Sequence, residues 1–235
     1  MRFTSMTHPG GQKLNKDCFD KVCRNGVYCF VMSDGEGVGG EEASEIVVKA
    51  VIKAFEKQPL VTEQSAEECI VAAQAAVKDH MELNPWLECM TATVAILITD
   101  GKNSICAHIG DTRVYTLNKG SIELITNDHT EAMERYLAKE ISFSQIRLCK
   151  NSPKTRIIGK DFEDGPEIGK LYRIKDKTAF LMCTDGFWQN INESDIESTL
   201  KNTTSSREWL GKMLKTIEKA TPASCGNLTA VAIIM

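Results

Sequence analysis

The sequence predicts one α/β domain built as a layered sandwich of sheets and helices. Strand-like and helix-like segments alternate along the 235 residues, and the helices occur in pairs separated by antiparallel hairpins. This arrangement favours a layered sandwich over a doubly wound parallel sheet. The sequence contains no internal repeat or Pro/Gly-rich linker, and its length suffices for one large core. We therefore expect residues 1–235 to form a single domain.

The first third of the chain is predicted to form a strand followed by two helices. Residues 27–33 are apolar and β-rich, and the turn signal Asp34-Gly35 ends this run. Apolar residues spaced three and four apart over 41–57 form one face of an amphipathic helix. A second helix is expected to open at Ser65, with Glu68 completing a capping box.

The rest of the chain is rich in strands. Residues 91–99 form an apolar run that ends in the hairpin signal Asp100-Gly101. An antiparallel meander is expected to follow, then a mixed segment with short helices over 130–159, a strand, two helices and a last strand. The predicted strands are 91–99, 104–109, 114–117, 122–125, 178–183 and 228–235, and the late helices are 194–200 and one that opens at Ser205 with Glu208 in a capping box.

Charge and cysteine content argue against several classes of function. A net charge of −4 disfavours nucleic-acid or anionic-membrane partners, which select basic surfaces. The nine cysteines are odd in number and irregularly spaced, and no Cys-x-x-Cys pair occurs, so a disulfide framework and a zinc site are both disfavoured. The sequence lacks a signal peptide and any apolar run of ~20 residues. We expect a cytoplasmic protein that binds neither nucleic acid nor membrane.

Two predicted strands end in the same dipeptide. Asp34-Gly35 follows the first strand, and Asp185-Gly186 follows the strand at 178–183. An aspartate at a strand end, with glycine after it, leaves a carboxylate and an approachable backbone carbonyl at the edge of a sheet. Mg²⁺ and Mn²⁺ prefer such oxygen ligands, whereas a single Asp-Gly is usually a plain turn. The repetition predicts that both carboxylates point into one shared cleft.

Seven short motifs, none of them specific alone, follow one another from about residue 10 to the last strand. They are Asn15-Lys16-Asp17, Asp34-Gly-Glu-Gly-Val-Gly-Gly40 with Ala43-Ser44, Gly110-Asp111-Thr112-Arg113, Ile125-Thr-Asn-Asp-His-Thr130, Thr155-Arg-Ile-Ile-Gly159, Thr184-Asp-Gly-Phe-Trp188 and Gly226-Asn-Leu-Thr229. In this order they resemble the metal-dependent protein phosphatase family (PPM, or protein phosphatase type 2C) in its bacterial form. The resemblance implies a four-layer α-β-β-α sandwich, with two packed antiparallel sheets flanked by helix pairs and a metal centre in a cleft at one end.

The resemblance also implies roles for individual residues. Two divalent cations, Mn²⁺ or Mg²⁺, would bind in the cleft and activate a water molecule that attacks phosphorus in line. Asp34 would bridge the cations, the carbonyl of Gly35 would bind one of them, and Asp185 would bind the other. Asp111 would help Asp185 to hold a weaker third ion. The implied partner is a phosphorylated protein substrate, or a kinase or other regulatory protein.

Three positions depart from the family pattern where metal or phosphate would bind. Lys16 stands at an acidic or amide position, and its ammonium would repel a cation rather than bind it. Gly226 replaces a metal-binding aspartate before the last strand, and Gln12 replaces an arginine that would clamp phosphate. Lys13 could bind phosphate instead, but as a point charge rather than a bidentate fork.

Neighbouring charges offer alternatives to a normal metal site. Lys16 could pair with Asp34, so that a salt bridge substitutes for an ion. Glu36, Glu41 or Glu42 could replace a lost ligand. For Glu41 and Glu42 the simpler interpretation is that acidic residues stabilise the first turn of a helix.

Other candidate residues have simple structural explanations. His129 is expected to form a structural hydrogen bond, and Trp188 is expected in the core. Lys150, Lys154 and Arg156 are interpreted as a solvated basic loop, with contact to a phosphorylated partner as the alternative.

Two functions remain open. One is weak metal-assisted hydrolysis of phosphoserine or phosphothreonine, and the other is a catalytically inactive pseudophosphatase that binds or regulates a partner. The intact aspartates Asp34, Asp111 and Asp185 favour the first, whereas Lys16 and Gly226 favour the second. Because each expected ion has lost a protein ligand, we predict partial metal occupancy, with at most one well-ordered ion or none.

Overall fold

The computed structural model describes residues 1–161, 164–220 and 226–235. These residues contain strands β1 Arg2–His8, β2 Asp17–Arg24, β3 Val27–Glu36, β4 Thr91–Ala92, β5 Val94–Thr99, β6 Asn103–Ile109, β7 Arg113–Asn118, β8 Ser121–Ile125, β9 Glu167–Ile168, β10 Tyr172–Arg173, β11 Thr178–Cys183 and β12 Leu228–Ile234. Their helices are α1 Gly40–Lys57, α2 Glu63–Leu83, α3 Glu131–Leu137, α4 Phe143–Ile146, α5 Asp185–Trp188, α6 Glu193–Lys201 and α7 Ser206–Ala220, and a single 3-10 turn spans Pro85–Leu87.

The strands form two antiparallel sheets. The first sheet has the order β1-β12-β11-β7-β8. The second has the order β10-β6-β5-β3-β2, with β4 beside β3 and β9 beside β6. In the first sheet Cys183 pairs with Ala230, so that β11 and β12 run the length of the layer together.

Alternation along the strands explains why the sheets stack between helices. In β3, Phe30 and Met32 pack into the core between the two sheets. Their neighbours Cys29 and Val31 point to the opposite face and pack with α1 and α2. Successive side chains of a strand face opposite sides, so a strand buried on both faces is a continuous apolar run. β11 shows the same alternation, and one of its faces packs with α5, α6 and α7. The predicted four-layer sandwich is confirmed.

Each long helix buries one face only. In α1, Val47, Val51 and Phe55 are fully buried at helical spacing, whereas Glu41 and Glu45 on the other side are exposed. Across residues 1–161, 164–220 and 226–235, no helix combines the length and the apolar character needed to cross a bilayer.

The helix starts differ in detail from the predicted ones. The predicted capping box at Ser65 is wrong: Thr62 is the N-cap of α2 and accepts from the Ser65 backbone N–H at 3.2 Å. At α7, Ser205 does accept from the Glu208 N–H, but the Glu208 carboxylate accepts from the N–H of Thr204 instead. In both places one hydroxyl or carboxylate satisfies an N–H group that the helix leaves free.

Sequence patterns did not reveal the first two strands. β1 and β2 are edge strands of the two sheets, and most of their residues are exposed or half-buried. An edge strand needs few apolar residues, so its alternation is weak. Thr7 of β1 nevertheless bonds Thr229 of β12 through their hydroxyls at 2.8 Å.

Candidate metal centre

The pairing of β2 with β3 sets two aspartates side by side. Asp17, the first residue of β2, lies opposite Asp34 in the register of the two strands. The backbone of Asp34 is fixed by Thr93, whose N–H donates to the Asp34 carbonyl at 2.8 Å. The Thr93 hydroxyl in turn accepts from the Asp34 N–H at 2.9 Å. The two carboxylates therefore start from a rigid edge of the second sheet.

Close backbone contacts explain the glycine after each of the two strand-end aspartates. A Cβ on Gly35 would lie 1.8 Å from the carbonyl oxygen of Gly40, so only glycine lets β3 pass against the first turn of α1. A Cβ on Gly186 would lie 2.1 Å from the carbonyl oxygen of Asn227. Because α5 begins at Asp185, this second contact presses its first turn against the chain that enters β12.

One hydrogen bond joins the two sheets at the site. The hydroxyl of Thr184, just after β11, donates to Asp17 Oδ2 at 2.8 Å. The backbone N–H of Thr229 donates to the same hydroxyl at 3.1 Å. Since Asp185 follows Thr184 directly, this bond holds Asp185 near the aspartates of the second sheet.

Asp111 enters the site from the turn between β6 and β7. It is almost completely buried, and its backbone carbonyl accepts from the indole N–H of Trp188 at 2.9 Å. Trp188 is buried, as predicted, and its ring stacks on the guanidinium of Arg113 at 3.5 Å. Arg113 makes a buried bidentate pair with Asp128 at 2.8 and 2.6 Å. This network holds the Asp111 turn against α5.

A cleft of about 880 Å³ opens over the carboxylates of Asp34, Asp111 and Asp185. The residues predicted for metal or phosphate binding line this cleft together with the altered positions: Gln12, Lys13, Lys16, Asp34, Gly35, Asp111, Asp185 and Gly226. Sequence positions far apart in the chain thus meet at one end of the sandwich.

Burial and mutual repulsion raise the pKa values of three of the carboxyl groups. The pKa of Asp34 lies well above its ordinary value because the group is desolvated, and because Asp185 and Asp17 repel its charge. Desolvation raises the pKa of Asp17 to about 6. Desolvation also raises the pKa of Asp111 to about 7, although the nearby ammonium of Lys154 acts in the opposite direction.

Two carboxylate oxygens at the site are buried without a partner. Within the described part of the chain, Asp17 Oδ1 and Asp111 Oδ1 make no hydrogen bond. Orphaned buried oxygens are costly, and a bound cation is one way to satisfy them. The donor set consists of carboxylate and carbonyl oxygens, which suit hard divalent cations such as Mg²⁺ and Mn²⁺. The residues present therefore fit a divalent ion.

The lysines differ from their predicted roles. The predicted pair between Lys16 and Asp34 is wrong, because the Lys16 ammonium donates to the carbonyl of Gly37 at 2.8 Å. Lys154, interpreted as part of a solvated loop, is instead buried at the cleft, with 11% of its side chain exposed. Its ammonium contacts Glu36 and lies 3.3 Å from Asp111 Oδ2.

The remaining altered positions line the cleft, whereas the alternative acids Glu41 and Glu42 are not among its lining residues. Gln12 and Lys13 are exposed there. A Cβ on Gly226 would meet no atom within 4 Å, so the site has room for a side chain at this position. Glu42 belongs to the first turn of α1 and lies 2.9 Å from His80 Nε2. Glu41 occupies the same first turn, as its simpler interpretation predicts.

A second cluster of titratable groups supports the Asp111 turn from behind. His108, His129 and Glu167 place possible ligand atoms within 4.8 Å of one another. However, His129 Nδ1 accepts from the N–H of Gly110 at 3.1 Å, so its Nε2 carries the hydrogen and faces Glu167 at 3.5 Å. A metal bound at Nε2 would move the hydrogen to Nδ1, and Nδ1 could then no longer accept from the N–H of Gly110. His129 has the structural role predicted for it, and it fixes the residue before Asp111.

Three contributors to the site were missed or misread in the sequence. Asp17 ends the motif Asn15-Lys16-Asp17 and receives no role from the sequence, although it is the first residue of β2 and lies opposite Asp34. Thr184 gave no separate signal, because threonine is common after a strand. Lys154 stands in a polar segment, where a charged residue is by default solvated.

Comparison with known sequences points to one family. The model of the family described as "Protein phosphatase 2C" matches residues 6–228. The chain is 25% identical over 209 residues to the serine/threonine protein phosphatase PstP of Mycobacterium tuberculosis, a match that covers 86% of this chain and 39% of PstP. It thus spans about two fifths of the length of that relative. A serine/threonine phosphatase, stp, of Listeria welshimeri is 25% identical over 190 residues, which cover 76% of this chain and 73% of the relative.

Solved structures share the fold. The catalytic domain of PstP, solved in complex with two manganese ions, superposes with a TM-score of 0.84 at 21% identity, covering 100% of this chain and 98% of that one. The serine/threonine phosphatase Stp1 of Staphylococcus aureus superposes with a TM-score of 0.87 at 20% identity, covering 99% and 94%. Both have the layered sandwich described above.

Proposed function

Because the chain belongs to the protein phosphatase 2C family, we propose that it hydrolyses phosphoserine or phosphothreonine in a protein with the help of Mn²⁺ or Mg²⁺. The observation that carries this proposal is the concentration of carboxylates at one cleft: Asp34 and Asp185 line it, Asp185 and Asp17 repel the charge of Asp34, and Asp17 Oδ1 is buried without a partner. The substrate class is supported by the names of the relatives, PstP and stp, which are serine/threonine phosphatases.

The residues of the cleft divide the work in this proposal. When bound, Mn²⁺ or Mg²⁺ supplies Lewis acidity, which makes a water molecule a better nucleophile and offsets the charge of the phosphate. Asp34, the Gly35 carbonyl and Asp185 would hold the cations, with Asp111 at the edge of the set. Asp17 orients Thr184 through its hydrogen bond and adds negative charge behind Asp34. Lys13 at the rim would attract the phosphate dianion.

We expect the activity to be weak. Lys16 places an ammonium beside the cleft where an acid would help to hold a cation, and Gly226 offers no side chain at all. Gln12 cannot form the charged fork with which an arginine clamps phosphate. Weaker binding of the cations leaves at most one well-ordered ion and less acceleration of the attack on phosphorus.

A pseudophosphatase that binds or regulates a partner is the second candidate. It is favoured by Lys154, whose ammonium already neutralises part of the acidic cluster through Glu36 and Asp111. Such a protein would use the cleft to bind a phosphorylated protein, a kinase or another regulatory protein without turnover.

We propose that residues 1–235 act as one unit in the cytoplasm. Cysteine chemistry supports this location, since Cys29, Cys69 and Cys183 are free thiols buried in apolar surroundings. Free buried thiols are typical of proteins in a reducing compartment.

The test restores the positions that depart from the family. The triple variant Lys16→Glu, Gly226→Asp and Gln12→Arg should hydrolyse an aryl phosphate and a phosphothreonine peptide at least ~100-fold faster than wild type at saturating Mn²⁺, equivalent to about 2.7 kcal/mol of barrier. All three changes lie at the cleft, and position 226 has space for the new side chain, so the core is left intact.

Two controls make the result interpretable. Adding Asp34→Asn to the triple variant should abolish the gain, whereas Lys53→Glu on the exposed face of α1 should leave wild-type hydrolysis unchanged. Fast hydrolysis by wild type, with no gain in the triple variant, would contradict weak activity. A triple variant that binds Mn²⁺ tightly yet never hydrolyses phosphate would favour the pseudophosphatase.

A further inference from the structure

The backbone around Lys154 directs its side chain into the cleft. Lys154 forms an isolated antiparallel bridge with Thr130, the N-cap of α3. On either side, the N–H of Glu131 donates to the Pro153 carbonyl at 3.0 Å, and the N–H of Thr155 donates to the His129 carbonyl at 2.9 Å. These backbone bonds tie the segment to the start of α3, so the position of the ammonium does not depend on a free loop.

Two carboxylates receive this ammonium. It contacts Glu36 Oε1 and lies 3.3 Å from Asp111 Oδ2. A buried ammonium is costly unless anions surround it, and here Asp111 is itself nearly buried. Glu36 is the last residue of β3 in the second sheet, and Asp111 lies in the turn that leads from β6 of the same sheet to β7 of the first sheet. A cation placed between them therefore ties the end of β3 to the turn where the chain passes from one sheet to the other.

We propose that Lys154 is a resident cation of the centre, whose ammonium holds the position between Asp111 and Glu36 and excludes a divalent ion from it. The inference rests on the proposed metal centre and specifies which part of it can be loaded. Ions are restricted to the side of Asp34 and Asp185, while the chain itself supplies the charge on the side of Asp111. An ammonium and a dication between the same two carboxylates repel each other, which makes the two alternatives exclusive.

Replacing the ammonium by a neutral group of similar length should open this position to metal. In Lys154→Met, the carboxylates of Glu36 and Asp111 lose their shared cation. The variant should bind one more Mn²⁺ per chain than wild type by isothermal titration. At the position between Asp111 and Glu36, its affinity for Mn²⁺ should be at least ~10-fold higher than that of wild type. Manganese anomalous scattering should place the extra ion against Asp111. Lys150→Met removes an exposed lysine of the same segment and should leave the ion count unchanged.

A second variant and a wild-type measurement keep the test decisive if Lys154→Met fails to fold. Lys154→Arg keeps the charge and should keep the wild-type ion count. Equal ion counts and affinities in wild type and Lys154→Met would overturn the inference, as would a manganese ion bound to Asp111 in wild-type crystals.

Isothermal titration counts ions without measuring hydrolysis, so this inference and the proposed activity can fail separately. An extra ion in Lys154→Met together with no hydrolysis in any variant would overturn the proposed activity and support this inference. Efficient hydrolysis with equal ion counts would do the reverse.

Discussion

Replacing Asp17 by asparagine should stabilise the metal-free protein at alkaline pH and destabilise the protein in Mn²⁺. Burial raises the pKa of Asp17 from 3.8 to about 6, and each pKa unit corresponds to about 1.4 kcal/mol, so the ionised group costs about 3 kcal/mol above pH 7. Asparagine removes the charge and keeps an oxygen for the Thr184 hydroxyl. Because its amide must fit where Asp17 Oδ1 has no partner, we expect a net gain of about 1–2 kcal/mol.

The pH dependence follows from the direction of that pKa change. The folded protein keeps the Asp17 proton up to about pH 6, whereas the unfolded chain releases it near pH 4, so wild type loses stability as the pH rises through this window. Urea denaturation in EDTA should show the gain of Asp17→Asn at pH 8 and little of it at pH 4.5. In Mn²⁺ the sign should reverse, because the carboxylate then favours the cation. Asp20→Asn, on the exposed side of β2, should show neither effect. A loss of stability in EDTA at pH 8 would refute the reasoning.

Two further substitutions test the scaffold by urea denaturation. Gly35→Ala should cost at least about 3 kcal/mol, because its Cβ would meet a backbone oxygen at 1.8 Å, whereas Gly211→Ala in α7 has open space and should stabilise by about 0.5–1 kcal/mol. Equal effects at the two glycines would contradict the close contact. Arg113→Met should cost about 3–5 kcal/mol, because Asp128 is left as a buried unpaired charge. Arg24 forms an exposed ion pair with Glu56, so Arg24→Met should lower the free energy of unfolding by less than about 1 kcal/mol. A similar loss in Arg113→Met and Arg24→Met would show that burial does not set the cost of breaking an ion pair.

The layers of the fold could be predicted from the sequence because the central strands are buried on both faces. The run from Cys29 to Met32 is apolar without interruption, and such runs between amphipathic helices specify a stacked sheet. The edge strand β1 could not be predicted in this way, because all of its residues are exposed or half-buried. The start of α2 was misplaced for a local reason: Thr62 and Ser65 are both good N-cap residues, and sequence spacing alone does not choose between them.

The site was predictable where its residues are fixed by the strand ends. Asp34 and Asp185 follow buried strands of the two sheets, and stacking of the sheets brings such ends to one cleft. The partners of the lysines were not predictable, because they depend on where loops cross. Lys16 is adjacent in sequence to Asp17, yet its ammonium reaches the Gly37 carbonyl. Lys154 is far from Glu36 in sequence, and the bridge to the start of α3 fixes the segment from which it reaches Glu36.

The altered positions and Lys154 are best understood as one adjustment of charge. The carboxylates of Asp17 and Asp111 repel that of Asp34, and a fold can relieve such repulsion with metal ions, with protons or with its own cations. Lys16 and Gly226 each reduce the negative charge that would hold metal, and Lys154 adds a positive charge inside the cleft. A chain that keeps the aspartates while weakening their hold on metal has less need of an ion to remain folded. Its response to Mn²⁺ should therefore be graded by how many of these changes are reversed, which ties the hydrolysis of the restored variant to its ion count.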